Sequence, residues 1–175
     1  MNAAVNTKRM FVILSMFLVF LAVDAQATIS NFMPVTNNIY RGGRPQKRDL
    51  ENLKDQKNLS TIIDVENKPA VAQEKDAADR LGLKFISSPM DTDIRPSDQQ
   101  VDQILTVMSD PHNFPIFIHC FHGEDRTGLI VGLFRVEVQG WSAQSAYLEM
   151  LKNGFHPKYR ALDKYFRDRT GYSGR

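Results

Sequence analysis

Cysteine is nearly absent from this chain: 175 residues contain one, Cys120. An internal disulfide is therefore excluded, and stability has to come from a buried core, which a chain of this length can supply. A charge excess is lacking too. Against 22 Lys and Arg stand 20 Asp and Glu, a formal net charge of +2. That balance gives no global field for nucleic acid or a membrane surface, so any anion binding must be local. The apolar run "MFVILSMFLVFLAV" at residues 10–23 falls short of the about 20 apolar residues that a spanning helix needs. Repeats and low-complexity linkers are missing as well.

The short run has a specific context. Lys8 and Arg9 precede it, and "DAQA" follows, with small residues at Ala25 and Ala27. A basic segment, a short apolar segment and an Ala-x-Ala site form the layout of a secretory signal peptide. Residues 1–27 are therefore expected to be removed on export to the periplasm, after Ala27 or after Ala25; an uncleaved anchor is the alternative. Residues 28–175 make a single domain. Losing Lys8, Arg9 and Asp24 changes the net charge from +2 to +1 (2 − 2 + 1), so the mature domain stays near neutral. No stable membrane association is expected after cleavage.

From residue 38 onward, short β-rich runs alternate with amphipathic stretches. "NIYRG" (38–42), "STIIDV" (60–65), "LKFISS" (83–88) and "PIFIHC" (115–120) read as strands. Helical spacing marks 46–57, 70–81, a stretch capped by Ser97, 142–152 capped by Ser142, and 158–169. Residues 127–139 are apolar nearly all round, the mark of a central buried helix. Gly128 and Gly132, four apart, would let it pack closely on the sheet. Strand–helix alternation predicts an α/β domain with a mostly parallel central sheet and helices on both faces. Ligands bind such sheets at the carboxyl ends of strands, where Cys120 falls.

A lone thiol in an oxidising compartment needs a reason. A buried cysteine acting as a small apolar residue is one. "HCFHGEDRTG" (119–128) suggests another. A strand that turns through a loop into a helix aims backbone N–H groups and the helix dipole at one point. Phe121, His122, Gly123 and Glu124 would surround a tetrahedral dianion, Gly123 giving the backbone room to approach. Arg126 closes the loop with a fork that grips two phosphate oxygens, as a lysine cannot. Such fields can bring a thiol's pKa from ~8.5 to roughly 3.5–7.5. Thr127 could donate its hydroxyl to the sulfur, and His119 would orient the loop from the strand end. These residues in this order suit phosphoryl transfer through a cysteinyl-phosphate.

The decapeptide resembles the Cys-x5-Arg-Thr/Ser signature of the cysteine-dependent, dual-specificity-type phosphatases. "IYRGGRP" and "VQGWSAQSAYLEMLKNGFHP" also resemble small exported bacterial members, including a phytase-like branch. The resemblance implies a dual-specificity-phosphatase-like fold, Cys120 as nucleophile and Arg126 as phosphate clamp, with no metal and no cofactor. A rhodanese-like sulfur carrier and a non-catalytic phosphate-binding module are the competing readings.

Breaking an ester also needs a general acid for the leaving oxygen. By resemblance it lies on the loop "SPMDTDIRPS" (88–97), where Asp91 stands 29 residues before Cys120 and Asp93 stands 27 before it. Either could instead cap a turn. Asp125 is a third candidate, or pairs with a cation and fixes the loop. Lys68, Arg95 and His122 are candidate contacts for further phosphates, with Arg41 and Arg44 more remote; His156 reads as a packed loop histidine. Cations near several strand ends, without an obvious aromatic slot, favour inositol polyphosphates over phosphoprotein substrates.

Overall fold

The computed structural model describes residues 29–67 and 71–174. The expected signal peptide (1–27) and Lys68 lie outside the described residues. In chain order the elements are β1 (Met33–Thr36), β2 (Ile39–Gly42), α1 (Lys47–Lys57), β3 (Thr61–Asp64), α2 (Val71–Arg80) and β4 (Lys84–Ser87). There follow α3 (Asp98–Ser109), β5 (Ile116–His119), α4 (Asp125–Glu137), α5 (Ala143–Lys152) and α6 (Arg160–Thr170). Among the described residues no helix is long and apolar enough to cross a membrane.

The sheet order is β1-β2-β5-β3-β4. All neighbours run parallel except β1, which pairs antiparallel with β2. The central strands β3 and β5 are buried along their whole length, as continuous Ile-rich runs require when both faces are covered. Strand alternation divides the core. Ile63, Ile116 and Ile118 pack with α3, α4, α5 and α6, whereas Ile62 and Phe117 pack with α1 and α2.

Helix α4 is the centre of the larger layer, buried from Asp125 to Arg135. Each Leu, Ile or Val buried there gains about 1.5–3 kcal/mol from leaving water. Only one of its two glycines serves the sheet contact that was expected. A Cβ on Gly132 would overlap Met150 Sδ and crowd Phe166, and one on Gly128 would meet Phe155. Gly132 thus admits the α5 and α6 side of the core, while a Cβ on Gly128 would stand between Phe155 and, at 3.8 Å, Arg41 Nη2 of β2 in the sheet.

Parallel pairing also fixes what lies at the carboxyl edge. Gly42, His119 and Asp64 are in register across β2, β5 and β3, so Cys120 emerges between the ends of two neighbouring strands.

Candidate active site

Cys120 follows the last residue of β5 and is 2% exposed, packed in the core cluster of α4. The next residues turn back over the strand end before α4 begins at Asp125. The loop rests on the segment after β2. Gly123 has φ +74°, and a Cβ there would lie 2.3 Å from the Gly42 carbonyl carbon. Only glycine allows that backbone approach.

Three successive carbonyls of the loop are tied to surrounding chain. Phe121 O accepts from Arg44 N (3.1 Å), His122 O from Asn31 Nδ2 (3.0 Å), and Gly123 O from Arg41 Nη2 (2.6 Å). In a trans peptide the following N–H points opposite to the C=O. The amides of His122, Gly123 and Glu124 are thereby turned away from those partners, toward the inner side of the loop. The first amide of α4 to close a helical bond is Gly128 N, to Glu124 O at 2.7 Å, and no side chain caps the helix start. The amides ahead of it and the helix dipole add to the same anion-attracting field.

Arg126 is 8% exposed. Its Nη1 donates to Asn67 Oδ1 (3.1 Å) and, at the outer limit, to Met90 O (3.5 Å). Asn67 Nδ2 in turn donates to Asp91 Oδ2 (3.2 Å), while Asp91 Oδ1 accepts from Asp93 N (2.8 Å). Asp91 is thus half-buried and joined to the arginine by one amide; Asp93 is exposed. Gln100 of α3 donates to Pro89 O (2.8 Å), stapling this loop to the helix.

The remaining candidates separate. Asp125 Oδ1 accepts from His156 N (2.8 Å) and lies 3.0 Å from His156 Nδ1, so it ties the start of α4 to the turn between α5 and α6. His156 is exposed rather than packed. Glu124 Oε1 accepts from Asn31 Nδ2 (3.0 Å). His122 is exposed, edge-on to Phe121, and Arg44 covers the Phe121 ring at 4.6 Å while bonding Glu66. Arg95 is committed to Asp168 (2.8 Å) and to the Tyr165 face, away from the loop. Thr127 is buried, and among the described residues its Oγ1 has no hydrogen-bond partner, so the expected bond to sulfur is not made.

His119, also a candidate phosphate contact, touches the loop only at its root, where Nδ1 lies 3.4 Å from Cys120 O, and its ring does not face the anion side. Alternation along β5 sends it to the face opposite Cys120, where it is fully buried, stacked on Phe117, with Nε2 2.7 Å from Glu74 Oε1. Its Nδ1 lies 4.0 Å from Asp64 Oδ1. Burial pulls the imidazole pKa down, but the hydrogen bond and charge of Glu74, then Asp64, outweigh it and hold it above its usual value. Asp64 is pushed up to about 6, chiefly by burial, against the attraction of His119. The ligand-type atoms of this trio lie within 4.8 Å of one another, the right chemistry for a cation, yet they already satisfy each other.

Sequence reasoning missed Asn67, Glu66 and the place of Arg41. For Arg41 a signal existed: a charged residue in a buried strand, in phase with Ile39.

A thiol at a strand end, an amide-rimmed loop and a buried arginine on an α/β sheet define the cysteine-dependent phosphatase class. The chain belongs to the tyrosine phosphatase family, which it matches over residues 27–168. It is 35% identical over 148 residues to the inositol diphosphatase DSP3 of Arabidopsis thaliana, covering 82% of this chain and 71% of that one. It is 29% identical over 140 residues to the inositol diphosphatase SIW14 of Saccharomyces cerevisiae, covering 78% of this chain and 49% of SIW14. The chain thus spans about half of SIW14's length. Among solved structures it is similar to TpbA of P. aeruginosa, with a TM-score of 0.67 at 25% identity over 79% of this chain and 84% of that one.

Proposed function

We propose that this chain hydrolyses phosphate esters of small polyphosphorylated molecules, inositol polyphosphates above all, through a cysteinyl-phosphate. The observation that carries the reading is the loop, whose carbonyls are bound from outside while Cys120 and Arg126 stand at its two ends. A phosphate dianion seats on the loop amides and the Arg126 fork. The Cys120 thiolate attacks phosphorus, an S–P bond forms, and the P–O bond to the leaving group breaks. Asp91 gives its proton to that oxygen. Water then attacks phosphorus, returning its proton to Asp91, and the thiolate leaves as inorganic phosphate is released. Asp91 is favoured over Asp93 because it alone is tied, through Asn67, to the clamp.

The substrate class rests on two relatives named as inositol diphosphatases. Arg44 and Arg95 give it less support than expected, being engaged by Glu66 and Asp168; His122 on the loop remains exposed. The likeness to TpbA, a relative named as a dual specificity protein phosphatase, supports phosphoprotein substrates as the second reading.

Phosphate release from the purified domain on inositol phosphates, phosphoinositides and phosphopeptides separates these readings. Preference for phosphopeptides would overturn the inositol reading. Cys120→Ser should abolish turnover yet still bind phosphate; turnover near wild type in that variant sinks the mechanism. Export belongs to the same proposal, supported by the sequence of residues 1–27. A native mass beginning at Thr28 or Gln26 supports it, and a full-length chain in the membrane fraction overturns it.

A further inference from the structure

Arg41 is the largest side chain among those fully buried, 1% exposed in the third position of β2. Alternation places it with Ile39 on the α4 side of the sheet, and parallel pairing sets it beside Ile118, two residues before Cys120. Its Nη2 meets Gly123 O at 2.6 Å and would lie 3.8 Å from a Cβ on Gly128. The guanidinium therefore sits beneath the loop, between β2 and the start of α4.

Its other donors are idle. Among the described residues, Nε and Nη1 have no partner. An arginine carries five N–H donors and does not surrender its charge, so burying it on one carbonyl is costly unless an anion lies near. Burial indeed lowers its pKa, opposed by the attraction of Glu149, then Cys120, with Arg135 repelling it and Glu124 attracting it weakly. Glu149 of α5 is already held by Arg135 of α4 in two bonds of 2.8 and 2.7 Å. Glu124 is bonded to Asn31. Cys120 stands on the same face of the sheet, two residues beyond the Ile118 that pairs with Arg41. The other charged groups on the elements around it are Arg126 and Asp125 in the first turn of α4 and, on the opposite face of the sheet, the His119–Glu74–Asp64 trio.

We propose that Arg41 is a positioning residue of the phosphate loop: it pins the Gly123 carbonyl from below and supplies a second, permanent positive charge that favours the Cys120 thiolate. Attraction is mutual, so a thiolate that stabilises the buried guanidinium is itself stabilised by it. The idea rests on the proposed phosphatase reading, but its test reads the thiol rather than turnover.

Because the chain has one cysteine, iodoacetamide alkylation followed by intact mass reports Cys120 alone. The rate is measured against pH in the full chain and in three variants. Arg41→Met removes both charge and donor. Arg41→Gln keeps a donor for Gly123 O without charge, and stands in should the methionine variant fail to fold. Arg41→Lys keeps the charge. The pH midpoint of alkylation should rise by about 1 unit in the two neutral variants, the lower end of what one neighbouring charge does, and stay close to wild type in Arg41→Lys. Inorganic phosphate should protect the thiol less well in the neutral variants. Equal midpoints in wild type, Met and Gln would reduce Arg41 to a packing element and overturn the proposal, whatever happens to melting temperature. A normal shift in a protein with no phosphate release on any ester would instead sink the phosphatase reading and leave this one standing.

Discussion

Arg126 Nη1 donates to Asn67 Oδ1 at 3.1 Å, and the amide nitrogen of the same Asn67 holds Asp91 at 3.2 Å. The proposed phosphate clamp and the proposed acid thus share one side chain. When a phosphate takes up the guanidinium fork, Asn67 loses or shares its donor, and the position of Asp91 is set by what arrives in the loop. Asn67→Ala should lower kcat about tenfold, less than the 10²-fold that a misplaced group can cost, while KM and phosphate binding change little. Steady-state kinetics on one alkyl phosphate decide it. A rise in KM with unchanged kcat would mean that Asn67 serves binding alone.

The acid is identified by its leaving-group dependence. Asp91→Asn should cost roughly 10²–10⁴ in turnover of an alkyl ester such as an inositol phosphate. An aryl ester leaves as a stable phenolate and needs the proton far less, so p-nitrophenyl phosphate should be hurt much less. Asp93→Asn, at an exposed position, should show no such selectivity. Asp125→Asn should lower stability through its His156 contacts, with equal loss on both esters. Selective loss in Asp125→Asn alone would move the acid into the loop.

The buried trio gives the domain a pH-dependent stability. Asp64 is raised from 3.8 to about 6 and His119 is raised above its usual 6.5, so folding takes up protons at both. The Asp64 contribution is complete below pH 3.8 and is lost as pH rises through about 6; that of His119 is complete below 6.5 and is lost above it. Urea midpoints should therefore fall as pH rises through 6 and on above 6.5. Glu74→Gln keeps an acceptor for His119 but removes the charge, and should flatten that slope. Parallel slopes in wild type and variant would show that the histidine is neutral in the fold.

Two glycines with positive φ make a matched pair. Gly82 (φ +65°) has nothing within 4 Å of a Cβ position, so Gly82→Ala should cost only the left-handed backbone penalty of about 1–2 kcal/mol and leave turnover intact. Gly123→Ala meets the Gly42 carbonyl as well. Titration with phosphate should show binding lost in Gly123→Ala and kept in Gly82→Ala; equal affinity in both would mean the loop floor yields.

Much of this was legible in the sequence, for identifiable reasons. The strands β3 and β5 and the helix α4 announce themselves as apolar runs because they are covered on every side. Strand β1 was not read. "MPVT" is an edge strand with Pro34 at its irregular pairing, and neither run length nor alternation marks it. The Cys120–Arg126 spacing is local and survives translation into structure. His119 holds the loop's root through the Cys120 carbonyl, as expected, but period-two alternation puts its ring on the face opposite the thiol, which a reading by adjacency in sequence does not reveal. The roles proposed for Asn67 and Arg41 arise only through parallel pairing of strands far apart in the chain.

The contact of Gly123 with Gly42 and Gly43 carries one more consequence. The proposed anion cradle is assembled from two stretches some eighty residues apart, so it does not exist until β2 has docked beside β5. A synthetic decapeptide of residues 119–128 would lack the partners that hold its carbonyls and should have no cradle to offer. Such distant closure comes late for a folding chain, because its entropy is spent before its contacts form. Phosphate can then recognise only the finished domain, and by mass action it raises the stability of the whole fold rather than of one loop.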